Sequence, residues 1–419
     1  MRLSILSLAL LCLCLSTIKA DHYAVLVAGS NFYWNYRHQA DIFHAYQILT
    51  NYGIPASNII TFAYDDIADN DLNPFKGQVF NKPSDGPGKD VYQGVVIDYS
   101  GDDVSPENFL NVLKGNSTGT GGKKVLESTA EDNVFVYFAD HGGPGVLCFP
   151  NDDLYADDLI DALKYMNENQ KYKEMVVYIE ACESGSIFQG LLPDNINIYA
   201  TTAANPDESS WATYCNPNNV VNGTSIGTCM GDLYSIKFLE NLESVDPSVE
   251  TLAAQYDILV QQTSLSHVQQ YGQLDIAAET IGNFEANGNS HQPLVEKPKE
   301  DFGFGGVRVS SRMMKLDFMS ARYEREQSQE AMSDLFEEMD SIKRLDRTFA
   351  GMKEELGLDV SGTVKDIDFK CLKERMYMYR EMCGRLSDYG LKYAKYIHFS
   401  CAQNTDIYDF ENVLVRYCI

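Results

Sequence analysis

The feature that most limits the fold is an alternation in the first half of the chain. Short apolar runs at Tyr23–Ala28, Ile59–Tyr64, Val95–Ile97, Val134–Phe138, Met175–Ile179 and Ile196–Thr201 are separated by amphipathic patterns such as Gln39–Tyr52, Ser105–Leu113 and Tyr155–Met166. Strands separated by helices cannot pair as tight hairpins. They pair through crossovers, which makes them parallel and buries them on both faces. The expected class is therefore α/β, a mostly parallel sheet flanked by helices, with any site at the carboxyl edge of the strands.

The second half is different. Long helical patterns such as Arg322–Met339 replace the strand-like runs, and no asparagine occurs from 291 to 403. Charge shifts as well: residues 1–290 carry 13 Lys and Arg against 37 Asp and Glu, and residues 291–419 carry 20 against 23. Asn283–Gly306, rich in Gly, Asn, Pro and charge, reads as a connector. The expected domains are a leader at 1–20, an α/β domain at 21–285, a linker at 286–325 and an all-α domain at 326–419. The leader has Arg2, an apolar run Leu3–Leu15 and a small-residue exit after Ala20, the pattern of a secretory signal. Asn116 and Asn222 open glycosylation sequons that fit that route. A net charge of −27 argues against nucleic acid and anionic membranes as partners.

Of ten cysteines, eight lie outside the leader. Cys371, Cys383, Cys401 and Cys418 would staple the helical domain in one of three pairings. Cys215 and Cys229 flank a Pro/Asn/Gly loop and suit a local bridge. Cys148 and Cys182 are left, either as a bridge or with at least one working thiol.

Cys182 follows the strand-like run ending at Ile179, and His141 follows the one ending at Phe138. Both would emerge at one sheet edge. A thiol nucleophile needs an imidazole to take its proton and return it to the leaving group. Gly142, just after the histidine, would let a backbone N–H face a developing oxyanion, with the Cys182 N–H beside it. Arg37 is the only arginine between Arg2 and Arg308, which marks it for binding over surface solvation. Asp65-Asp66 has no histidine or carboxylate at ligand spacing, so no metal and no cofactor are expected. His44 lies on the helical pattern and is read as structural.

The segments Asn35-Tyr36-Arg37-His38-Gln39-Ala40-Asp41, Asp140-His141-Gly142-Gly143-Pro144-Gly145, Tyr178-Ile179-Glu180-Ala181-Cys182-Glu183-Ser184-Gly185-Ser186 and Ala203-Ala204-Asn205-Pro206 resemble the legumain family of asparaginyl endopeptidases. The resemblance runs from Tyr23 to the late cysteines. It implies a caspase-like α/β catalytic domain and a helical prodomain that occludes the active site. It implies Cys182 as nucleophile, His141 as general base and acid, and Asn35 orienting His141. It implies a substrate pocket of Arg37, His38, Glu180, Ser209, Ser210 and Asp232, and a Cys215–Cys229 bridge. The expected activity is cleavage after Asn, and after Asp in acid, by a latent zymogen activated at low pH. The expected partners are peptides and proteins with exposed Asn and the chain's own prodomain, in a lysosome or vacuole or outside the cell. A peptide ligase on the same site and a catalytically silent binding homologue are the alternatives.

Three further expectations concern activation and the second thiol. Ser310–Gln329 holds no Asn, which directs the activating cut to an acidic residue such as Asp317, with Asn287 and Asn289 much earlier. Acid is expected to release the prodomain by protonating carboxylates paired with its Lys and Arg. Cys148 is expected as a free, buried thiol.

Overall fold

A computed structural model describes residues 20–287, 291–295 and 307–418. The leader through residue 19 and Asn289 lie outside them. Strands β1 (His22–Ala28), β2 (Ile59–Phe62), β3 (Asn133–Ala139), β4 (Glu174–Glu180) and β5 (Ile198–Thr202) pair in parallel. Short strands β6 (Trp211–Thr213) and β7 (Gly231–Asp232) follow, and β8 (Gln269–Gly272) closes the sheet as an antiparallel edge. The sheet order is β8-β5-β4-β3-β1-β2. Residues Val25, Val27 and Phe138 face one apolar core, and Ala24, Leu26 and Tyr137 the other. That alternation on two covered faces is why these strands read as continuous apolar runs. Val95–Ile97 is not a strand, and Val96 is 48% exposed; the ladder beyond β2 shrinks to a single bridge from Phe62 to Tyr99.

Helix α1 (Tyr36–Asn51) begins three residues before the expected Gln39. Its first turn is polar and yet buried, with Arg37, His38, Gln39 and Asp41 all inside, so no apolar stripe announces it. Helix α2 (Pro106–Lys114) has the expected start: the Ser105 side chain accepts from the Asn108 N–H, and Gly115 closes it at φ 67°. Helices α3 (Ala156–Glu168), α4 (Leu233–Ser244) and α5 (Leu252–Gln262) complete the layers.

The strand β9 (Val309–Ser310) pairs antiparallel with β6 and leads into α6 (Met314–Glu326). The expected single helix Arg322–Met339 is broken. Gln327 turns left-handed at φ 51°, and the Ser328 side chain caps α7 (Gln329–Glu355). Helices α8 (Phe369–Cys383), α9 (Ala394–Ala402) and α10 (Ile407–Cys418) form a bundle with α7. Its Phe349, Phe369 and Leu391 join the core that includes Val25 and Phe138, so one apolar interior runs from the sheet face into the helices.

The late cysteines pair as Cys371–Cys401 and Cys383–Cys418, and Cys215 bonds Cys229. Cys148 and Cys182 are free and buried. A non-reducing digest should yield those three linked peptide pairs, with Cys148 and Cys182 the only cysteines beyond the leader that take an alkylating label after unfolding. A Cys371–Cys383 or Cys401–Cys418 linkage would contradict this packing.

Candidate active site

Register sets the site. Ala28, Ala139 and Glu180 lie side by side on β1, β3 and β4, and the Asp140 N–H donates to the Glu180 carbonyl at 3.0 Å. His141 and Cys182 therefore leave neighbouring strands at the same height. Gly142 is required by this closeness: a Cβ there would stand 2.5 Å from the Cys182 carbonyl oxygen.

Asn35, at the start of α1, fixes the imidazole. Its Oδ1 accepts from His141 Nε2 at 2.9 Å and from Arg37 Nη1 at 3.2 Å, and its Nδ2 donates to the Asn31 carbonyl. With the proton on Nε2, Nδ1 is left with a free lone pair and no hydrogen-bond partner. An imidazole in that tautomer can take a thiol proton. The Cys182 Sγ lies 3.2 Å from Ser209 Oγ and 3.3 Å from the Ser210 N–H.

The polar cluster beside these groups centres on Arg37, which is fully buried. Its Nε donates to Asp232 Oδ1 at 2.8 Å, and its Nη2 has no partner. Glu180 Oε2 accepts from the Ser235 N–H and hydroxyl, while Glu180 Oε1 and Asp232 Oδ2 have no hydrogen bond. His38 Nε2 is 3.4 Å from Asp232 Oδ2. Asp41 accepts from the Asp232 N–H and from Asn81. Two further buried carboxyls, Asp41 and Glu180, thus crowd the Asp232 that Arg37 pairs. Burial and mutual repulsion push Asp41 and Glu180 well up, and burial raises Asp232 against the pull of Arg37.

The helical half closes the site. Ser310 Oγ meets Ser209 Oγ at 2.7 Å, the Ser311 N–H donates to the Ser210 carbonyl, and the Ser311 hydroxyl lies 3.2 Å from Ser210 Oγ and 3.5 Å from Asp232 Oδ1. Arg312 pairs with Glu183. Asp388, between α8 and α9, lies 3.3 Å from His141 Nε2. Further out, Lys373 meets Asp157 and Asp158, Arg380 meets Asp152, Arg385 meets Asp153, and Lys395 meets Asp207.

Burial in this closed form holds both reactive groups neutral. It pushes the Cys182 thiol up, although Arg312 opposes, and it brings His141 down to about 4, although the Asp388 charge opposes. The carboxylates at the junction do not behave alike. Asp388 is lowered, since His141, Arg37 and Arg385 outweigh its burial, but burial raises Asp140 well above its ordinary value and Glu183 to about 7. The expectation that acid acts through lowered carboxylates thus fails at Asp140 and Glu183.

Every residue expected in catalysis or the substrate pocket is in this cluster; the bridged cysteines lie elsewhere, and the glycosylation candidates, Asn116 and Asn222, are exposed on the surface. Glu183, Ser311, Arg312 and Asp388 were not singled out from the sequence. Glu183 sits inside a quoted motif, but nothing local marks the other three. His38, Asp140 and His141 bring potential metal-ligating atoms within 4.8 Å of one another. His38 Nδ1 is already bonded to Ser30 Oγ at 2.6 Å, so the cluster is part of the polar network around the imidazole. Asp65 and Asp66 are structural, accepting from Tyr92 and from Gln39 and the Phe32 N–H. His44 pairs with Glu243 and Asn81, a buried structural contact. Among the described residues no helix is long and apolar enough to cross a membrane.

A thiol and an imidazole at the carboxyl edge of a parallel sheet, closed by a helical segment of the same chain, define a cysteine endopeptidase in a covered form. Residues 22–293 match the Peptidase C13 family, and residues 329–418 match the legumain prodomain. The chain belongs to the Peptidase C13 family. It is 41% identical over 404 residues to vacuolar-processing enzyme beta-isozyme 1 of Oryza sativa subsp. japonica, covering 89% of this chain and 79% of that one. It is 40% identical over 405 residues to legumain of Canavalia ensiformis (89% and 83% covered) and 49% identical over 282 residues to hemoglobinase of Schistosoma japonicum (66% and 64% covered). A solved structure of caspase-1 from Spodoptera frugiperda aligns at a TM-score of 0.37 and 11% identity over 61% of this chain and 87% of that one, too slight to add to the topology.

Cys182→Ala should remove peptide cleavage while the protein still folds, and Cys148→Ala should keep it. Residual activity above a few per cent in the first variant, or its loss in the second, would move the nucleophile to Cys148.

Proposed function

We propose that this protein is an endopeptidase that cuts after Asn, with Cys182 as nucleophile, His141 as general base and acid, and Asn35 holding the imidazole. The carrying observation is the set of unpaired atoms beneath Ser311: one spare donor on Arg37 and spare acceptors on Glu180 and Asp232. A carboxamide offers an acceptor oxygen and a two-donor nitrogen, which matches both kinds. Serine is too short to satisfy them. An ionised Asp side chain would add a fourth carboxyl to a site already rich in them, whereas a protonated one offers a donor and an acceptor. The Gly142 and Cys182 N–H groups are assigned to the oxyanion, and His38, Ser209 and Ser210 line the pocket. Residues 21–285 form the catalytic domain, 286–325 the activation segment and 326–419 the prodomain. A vacuolar or lysosomal setting fits the names of its relatives and the apolar leader at 1–20.

Arg37→Ala should lower cleavage after Asn by about 2–4 kcal/mol in kcat/KM, the scale of a charged partner left unmatched. The wild type should begin to cut after Asp only below about pH 5. Cleavage after Asp that strengthens toward neutral pH would sink the pocket assignment.

Acid activation rests on the histidines more than on the carboxylates. His141 is held near 4 in the closed form and would stand near its ordinary 6.5 once released. Below about pH 6.5 the open form therefore takes up a proton that the closed form refuses, and docking weakens until about pH 4. His398, buried at the same junction and lowered first by burial and then by Lys395, acts in the same direction. Asp388 keeps His141 from falling further and stays ionised across that window, whereas Glu183, raised to about 7 in the closed form, takes up a proton there as pH falls and opposes release. Asp317 lies within α6, so a cut there needs that helix to unwind. Protein nicked in the connector should co-elute with its prodomain at pH 7 and separate between about pH 6.5 and 4. His141→Gln should shift that release to lower pH; an unchanged release curve would refute the histidine mechanism.

A further inference from the structure

We propose that Glu183 forms the subsite for the residue immediately after the cut and selects arginine or lysine there. This deepens the reading of the site as one that cuts after Asn, and rests on it.

The segment Val309–Arg312 supplies the register. Val309 lies opposite Ala212 and Ser310 opposite Trp211, in an antiparallel pair. The Ser311 N–H continues the ladder to the Ser210 carbonyl at 3.1 Å. An extended peptide adding to a sheet edge bonds in this way, with alternate side chains read by pockets. Ser311 is the residue whose side chain enters the Asp232 pocket, and its backbone bonds to Ser210, which touches the Cys182 sulfur. Ser311 thus holds the place of the residue before the cut. Val309 and Ser310 precede it, and Arg312 takes the place of the residue that leaves.

Arg312 is not on the surface. It is 8% exposed, and its Nη2 meets a Glu183 carboxylate oxygen. Glu183 follows the nucleophile directly. Its backbone is left-handed, at φ 48°, and its N–H donates to the Glu208 carbonyl at 2.8 Å. The side chain is therefore aimed by a turn that is part of the catalytic loop. The other charges near it are Asp207, from the same half, and Lys395, from the helical half. When the covering segment departs, both cations, Arg312 and Lys395, depart with it. Glu183 is left as an acid beside the leaving-group side of the thiol, with Asp207 adding to the negative field. A basic residue after the cut restores the pair; an acidic one adds a like charge.

The test uses the full chain activated in acid and a series of internally quenched peptides, Ala-Ala-Asn-X-Gly-Leu, with X as Arg, Lys, Gln, Ala or Glu. For the wild type, kcat/KM with Arg or Lys should exceed that with Gln by at least about fivefold, the upper range for a partly exposed ion pair, with Glu the poorest. Glu183→Gln should level the series. Should that variant fail to fold, the wild-type preference itself must shrink as salt rises, because the contact is Coulombic. Equal rates for Arg and Gln, a preference that survives Glu183→Gln, or one insensitive to salt would each overturn the subsite. Cleavage of none of the peptides after Asn would overturn the underlying specificity instead, and the two failures are told apart by whether any Asn peptide is cut.

Discussion

The buried guanidinium of Arg37 is the constraint around which the site is arranged. It lies in the first turn of α1 with no exposure, and it bonds Asp232 through Nε and Asn35 through Nη1. The Asn35 bond passes its orientation on to His141, and the Asp232 bond fixes the floor of the substrate pocket. One cation therefore positions both the imidazole proposed as base and the proposed specificity site. It also pairs Asp232, a carboxyl that would be costly to bury without it and that Asp41 and Glu180 crowd from the other side. Such a residue cannot be exchanged for lysine without losing the fork that reaches two partners at once.

In the covered form the obstacle to reaction is chemical as well as steric. A cysteine peptidase works through a thiolate and a proton-carrying imidazole. Here burial favours the uncharged form of each: it raises the thiol and lowers the imidazole. Arg312 would favour the thiolate and Asp388 the imidazolium, but each is also engaged at the junction, with Glu183 and with His141. Removing the cover restores water to both groups and withdraws these partners together. In the proposed activation, opening and chemical activation are therefore one event.

Much of this was legible in the sequence, for identifiable reasons. The strands carrying His141 and Cys182 are buried on both faces, so their composition alone marks them, and their shared register follows from parallel pairing. Val95–Ile97 misled because a short apolar run next to a turn has no periodicity to arbitrate it; Val96 faces solvent. The first turn of α1 was hidden because its buried residues are polar. The break at Gln327 was hidden because a non-glycine residue takes the left-handed turn, without the Gly or Pro that usually signals one. Asp388 and Ser311 were invisible because they act across more than 150 residues of sequence or from a connector without secondary-structure pattern. Only the fold brings them to the site.

The same comparison explains how one segment can be bound like a substrate and yet serve as a cover. Backbone pairing along β6 does not depend on side-chain identity, so it holds Val309–Ser311 in a peptide's place whatever the residues are. The proposed specificity is read separately, by the unpaired atoms below. Serine at 311 uses the ladder and leaves Arg37 Nη2, Glu180 Oε1 and Asp232 Oδ2 unmatched. If the site takes Asn as proposed, the segment gains the sequence-independent part of binding and forgoes the part reserved for a carboxamide. What it lacks in the pocket is offset at its flanks, by the Arg312–Glu183 pair on one side of the thiol and by the apolar interior shared between the sheet and the helical bundle. Removing the helices takes away that compensation, and the remaining strand is then a weak competitor for an incoming peptide that fills the pocket.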